Sequence, residues 1–185
     1  MNQADTSDDR PVVAAIAHDG SGDIDALLAA FADRQRRRGR EVLGLVMRHR
    51  APDQGCRAAM VLTDIRTGGE YLVSQPLGSD ATACRADPQG FAQASEVFRD
   101  ALEREPDLVV CNRFGALEAE GGGFAAELLA LLERGIAVLT VVSPRHADAW
   151  QRFVGEATAL DCDPATWEAW LDTIVPQRRA SVVPD

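Results

Sequence analysis

The chain has 185 residues, 46% of them hydrophobic, which is enough to bury the core of one domain. Its formal net charge of -10 excludes nucleic acid and anionic membrane as expected partners, because both need clustered positive charge. No apolar run approaches the roughly 20 residues of a membrane span, and the polar, acidic residues 1–10 do not read as a signal peptide, so a cytoplasmic location is expected.

Taken in chain order, Val12 to Ala17 reads as a short buried strand, followed by the turn His18-Asp19-Gly20-Ser21-Gly22. Asp23 to Gly39 predicts a helix, with Ile24, Leu27, Leu28 and Phe31 on one face and Gly39 as its stop. Its last turns carry the basic run Arg34 to Arg40, which reads either as a solvated helix end suited to the dipole or as an anion patch. Val42 to Val46 is a second buried strand, and Arg48 to Arg57 a polar loop. Ala58 to Asp64 and Glu70 to Ser74 flank Arg66-Thr67-Gly68-Gly69, a hairpin signal. Gln75 to Arg85 reads as a long loop. Asp87-Pro88 opens a helix that Pro106 stops, because Asp caps and Pro fits the first turn.

Leu108 to Cys111 is the next strand, Phe124 to Arg134 a helix closed by Gly135, and Ile136 to Val142 a further strand. Arg145 to Val154 and the segment opening at Asp163-Pro164 are helical, the latter carrying Trp167 and Trp170 as core residues. Strands alternating with helices predict an α/β fold, a doubly wound and mainly parallel sheet with the β-hairpin as an antiparallel excursion. Residues 11–175 are expected to form a single domain, with 1–10 and 176–185 disordered. Ligands in such sheets bind where the strand order switches, so the loops His18–Asp23, Asn112–Gly123 and Ser143–His146 should meet.

Cys56, Cys84, Cys111 and Cys162 form no C-x-x-C pair, and His18, His49 and His146 form no H-x-x-x-H. No metal site and no disulfide framework are expected.

The turn from Ala17 to Ile24 has the spacing of a phosphate-binding G-x-x-x-x-G-K-[ST] loop. Gly20, Ser21 and Gly22 retain an anion-binding backbone at a helix N-terminus. Ala17 takes the first glycine position, while Asp23 takes the lysine position and Ile24 the hydroxyl position, so a magnesium-bound triphosphate would meet repulsion. Asp23 reads equally as a plain helix cap. At the end of the strand over Leu108 to Cys111, phosphoryl transfer needs carboxylates, and Asn112 and Arg113 stand there. Arg113 is a candidate anion contact. Glu118 and Glu120 are the nearby acids, and Cys84-Arg85 precedes a helix N-terminus that lowers a thiol pKa. No histidine is identifiable as a base for Cys84, and no catalytic residue is assigned.

These residues, together with Gln75-Pro-Leu-Gly78, Asn112-Arg113-Phe114-Gly115, Glu118-x-Glu120-Gly121-x-Gly123-Phe124 and Ala149-Trp150-x-x-Phe153, resemble a bacterial family of unknown function. Its members are often encoded beside molybdenum-uptake and nitrogenase genes. That family is in turn similar to the small P-loop nucleoside triphosphatases of thermophiles. The resemblance covers roughly Val12 to Leu171 and implies a P-loop NTPase-like fold and a role in molybdenum homeostasis. The expected function is a non-hydrolysing binding protein for a small oxyanion, molybdate or tungstate. Its expected ligand residues are Gly20, Ser21, Gly22, Asp23, Cys84, Arg85, Asn112, Arg113 and Glu118. A divergent nucleoside triphosphatase or nucleotide-binding protein is the alternative. A regulatory or assembly partner of a molybdoenzyme pathway, acting as a homo-oligomer or with other molybdenum-pathway proteins, is a further one.

Overall fold

The computed structural model describes residues 12–19, 23–50, 59–75 and 85–181. Strand β1 (Val13–Ala17) leads to helix α1 (Ile24–Arg37), and β2 (Val42–Arg50), β3 (Ala59–Asp64) and β4 (Glu70–Leu72) follow. The short β5 (Ser74–Gln75) and β6 (Arg85–Ala86) precede α2 (Pro88–Arg104). Next come β7 (Leu108–Phe114), α3 (Ala116–Ala119), α4 (Ala125–Glu133) and β8 (Val138–Val142). A single 3-10 turn, Pro144–His146, leads into α5 (Ala147–Val154), and β9 (Thr158–Leu160) and α6 (Pro164–Ser181) complete the order.

The sheet runs β4-β3-β2-β7-β8-β1-β9, with β5 and β6 as a separate antiparallel pair. From β2 to β9 every pairing is parallel, while β3 and β4 join antiparallel through the expected hairpin. This is the doubly wound α/β arrangement of P-loop NTPase-like proteins. The central strands are buried on both faces, so they read as continuous apolar runs. On one face Ile24, Leu28 and Phe31 of α1 and Trp167, Leu171 and Ile174 of α6 share a core with alternate strand residues such as Ile16, Val110 and Leu139. Phe31 meets Trp167 edge to face at 5.5 Å. On the other face Phe98 of α2, Leu128 of α4 and Trp150 of α5 share a core with Leu45, Val109 and Val138.

The two Asp-Pro sequences start helices as their chemistry dictates. Asp87 accepts a hydrogen bond from the Gln89 amide at 3.1 Å, and Asp163 from the Ala165 amide at 2.9 Å. Gly44 of β2 has φ +115°, and a Cβ there would stand 2.1 Å from the Val110 carbonyl oxygen of β7. Only glycine lets the two backbones approach so closely.

Several elements differ from the sequence reading. β2 continues to Arg50, where a polar loop is expected from Arg48, because pairing with β3 supplies its hydrogen bonds through Arg50↔Ala59. α6 runs through Pro176 to Ser181, where the sequence indicates an unstructured tail. The edge strand β9 and the short α3 are additional elements. Part of the basic run makes contacts within the chain. Arg36 donates to the Ile65 carbonyl at 2.7 Å, Arg38 pairs with Glu168, and Arg40 pairs with Asp172 and donates to Gln35. These arginines tie the end of α1 to the hairpin and to α6. Residues 1–11, 20–22, 51–58, 76–84 and 182–185 lie outside the described residues, and with them much of the expected loops and ends.

Candidate functional site: an arginine-lined cavity at the switch in strand order

β1 and β8 are neighbours, yet their connections diverge. The chain leaves β1 for α1 on one face and leaves β8 for α5 on the other. Such a divergence opens a crevice at the C-terminal edge of the sheet. The His18 amide still donates to the Val142 carbonyl at 3.1 Å, which extends the β1–β8 pairing to the rim. Above it lies a cavity of about 470 Å³, lined by His18 and Asp19 after β1, Arg113 of β7, and Val141, Ser143, Pro144 and Arg145 around the end of β8. The three loops expected to converge therefore each contribute to, or stand beside, one space.

Arg113 reaches this cavity because of a bulge. In the β7–β8 register Cys111 pairs with Thr140 and Phe114 with Val142, so Asn112 and Arg113 together face the single residue Val141. Regular alternation would put residue 113 on the same face as Cys111 and Val109. The extra residue lets Phe114 take that core position and turns Arg113 towards α1. Its Nη2 lies 3.4 Å from Asp25 Oδ1, and the Asp25 side chain is only 10% exposed while that of Arg113 is 43% exposed. The guanidinium has five N–H donors, so one contact to Asp25 leaves others available to a ligand. Arg145, three residues beyond β8, brings a second permanent positive charge to the wall. Asp19 brings a negative one. The Ser143 hydroxyl is held by the His146 ring, with Oγ 3.2 Å from Nδ1.

The remaining sequence candidates have other positions. Asp23 caps α1, its Oδ1 accepting from the Ala26 amide at 3.0 Å. A carboxylate thus occupies the helix end that would otherwise attract an anion. Asn112 is 4% exposed, and its Oδ1 accepts from the Met47 amide at 2.9 Å. The β2–β7 ladder ends at Leu45↔Cys111, and the Asn112 amide takes over as the acceptor for β2. Glu118 is 6% exposed and accepts from the Gly115 amide at 2.9 Å and the Phe124 amide at 3.2 Å. It closes the Gly115–Phe124 loop on itself. Gly123, at φ +55°, leaves room for it, since a Cβ there would stand 2.0 Å from Glu118 Oε1. Gly20, Ser21, Gly22 and Cys84 lie outside the described residues, and Arg85 is described only by its backbone in β6.

Cys111 is fully buried, and burial first, then the nearby Glu118 carboxylate, pushes its thiol far above the ordinary range. Burial and the raised pKa both disfavour the thiolate that a nucleophile needs. Among the described residues no group of His, Cys, Asp or Glu side chains is arranged to hold a metal ion. No helix among them is long and apolar enough to cross a membrane.

The cavity residues that sequence reasoning left unassigned are His18, Asp19, Ser143 and Arg145, and Asp25 behind them. Arg145 follows the end of β8, and the rule that places ligands at strand ends applies to it as it does to Arg113 near the end of β7. Asp25 had no such signal, because its pairing depends on the bulge.

The chain is 40% identical over 159 residues to the molybdenum import ATP-binding protein ModC 2 of Bradyrhizobium diazoefficiens. The match takes in 85% of this chain but only 18% of that protein, so the chain spans less than a fifth of its relative's length. No solved structure matches. Residues 13–170 match the family described as "Protein of unknown function (DUF2478)", and the chain belongs to that family.

Proposed function

We propose that this chain is a non-hydrolysing binding domain for a small tetrahedral oxyanion, molybdate or tungstate, in molybdenum homeostasis. The observation that carries this reading is the convergence of Arg113 and Arg145, from two different strand ends, on one cavity at the sheet edge. Two guanidinium groups match a dianion in charge, and their forked donors match its oxygen geometry. A triphosphate fits worse. It brings more negative charge to a cavity lined by Asp19, with Asp25 already paired to Arg113, and Asp23 occupies the position of the lysine that would neutralise it. The link to molybdenum draws on the printed name of the relative, which concerns a protein much longer than this chain.

That name also says ATP-binding, and it favours a second reading in which a nucleotide binds. Isothermal titration separates the two. Molybdate and tungstate are expected to bind the wild-type chain, and Arg113→Ala or Arg145→Ala to weaken them at least tenfold. ATP with magnesium is expected neither to compete nor to release phosphate. Tight ATP binding with no molybdate binding would replace the first reading by the second. A role as a regulatory or assembly partner in a molybdoenzyme pathway is compatible with anion binding, and capture of a molybdenum-pathway protein that depends on molybdate would support it.

A further inference from the structure

A second cavity, of about 320 Å³, adjoins the first and shares Ser143 and Pro144 with it. Its chemistry is different. Ala15 and Ala17 stand at alternate positions of β1, and Ala159 pairs with Ala15 from β9, so three methyl groups make a flat floor. Trp150 forms a wall. Trp150 is 5% exposed and packs against Phe114, with ring centroids 5.1 Å apart. Any larger side chain at the alanine positions would fill this space. The cavity is therefore an apolar slot with a rigid aromatic side, joined through a serine to a compartment carrying two arginines. A bare tetrahedral oxyanion occupies only the polar half of such a pair.

We propose that the two cavities are halves of one site and that its preferred ligand is an organic oxyanion ester carrying a flat ring. The oxyanion sits with Arg113 and Arg145, and the ring lies on the alanine floor against Trp150. This inference rests on the anion-binding reading above and goes beyond it: molybdate or tungstate fills the polar half alone, and an ester of the same oxyanion geometry fills both. Ring burial adds affinity through apolar surface removed from water and through contact with the indole, while the charged end fixes orientation. An alkyl chain of similar size lacks the flat shape and loses more conformational freedom when ordered.

The test is a titration of the full chain with inorganic phosphate, phenyl phosphate, 1-naphthyl phosphate and hexyl phosphate, with molybdate as a separate probe of the polar half. The same series is run on Ala159→Phe and Ala17→Phe, whose thermal melts report whether each has folded. 1-Naphthyl phosphate is expected to bind at least tenfold tighter than phosphate and tighter than hexyl phosphate. A folded Ala159→Phe or Ala17→Phe chain is expected to lose that tenfold advantage and to keep its affinity for molybdate. If phosphate or molybdate binds and the ring adds nothing, the two-part site is overturned while the anion-binding reading stands. If the ring advantage survives in both filled variants, or hexyl phosphate equals naphthyl phosphate, the slot is not the ring site. If neither bare anion binds, the underlying reading itself fails.

Discussion

Replacing Glu118 by alanine removes the acceptor of two backbone amides, Gly115 at 2.9 Å and Phe124 at 3.2 Å, the second of them buried. A buried donor left without a partner costs about 1–3 kcal/mol, so the pair places the loss near ~3 kcal/mol. For a domain of this size that lowers the melting temperature by about 6–12 °C, at roughly 2–4 °C per kcal/mol. Gly123→Ala should act on the same contact from the other side. Its methyl would stand 2.0 Å from Glu118 Oε1 at a backbone φ of +55°, which forces the carboxylate away and adds backbone strain of about 1–3 kcal/mol. In the double variant the methyl no longer meets the carboxylate, so the two losses overlap by at least ~1 kcal/mol. Urea and thermal unfolding of the four chains, followed by circular dichroism, measures this cycle. A Glu118→Ala melting temperature within about 2 °C of wild type would refute the clamp. So would additivity to within ~0.5 kcal/mol.

Asp23→Lys restores the charge of a phosphate-binding loop but removes the α1 cap, so it should cost about 1 kcal/mol of stability. With magnesium and a panel of nucleoside triphosphates, its phosphate release should stay at the level of a no-protein control. Asn112→Ala strips the acceptor from the Met47 amide and should cost ~1–2 kcal/mol in urea unfolding; an unchanged midpoint would contradict its place in the β2 ladder. Cys162 is exposed, and Cys111 is buried with its thiol raised. Peptide mapping after iodoacetamide should find Cys162 alkylated in the native chain and Cys111 alkylated only after denaturation, at neutral and at mildly alkaline pH alike.

Local chemistry made much of the fold legible. Asp87-Pro88 and Asp163-Pro164 mark helix starts because capping and the proline φ act within a few residues. The apolar runs over Leu108 to Cys111 and Val138 to Val142 mark strands buried on both faces. The convergence of three loops followed from the parallel order alone. What was not legible depends on distant partners. Arg38 reads as a solvated cation until Glu168, 130 residues away, comes beside it. β9 has only three residues, and its strand character comes from pairing with β1. The bulge that separates Arg113 from the core is a property of the β7–β8 register, which no spacing in either strand reveals. Glu118 reads as a loop acid because its partners are backbone amides, which every residue but proline possesses.

The central claim, an anion site at Arg113 and Arg145, is tested most directly by the melting temperature in molybdate. A ligand present at about 100 times its Kd stabilises the folded chain by about 2.7 kcal/mol, which raises the melting temperature by about 5–10 °C. That rise is expected in the wild-type chain with molybdate and tungstate, and its loss in the double variant Arg113→Ala, Arg145→Ala. No rise at millimolar molybdate, or the same rise in the double variant, would contradict it.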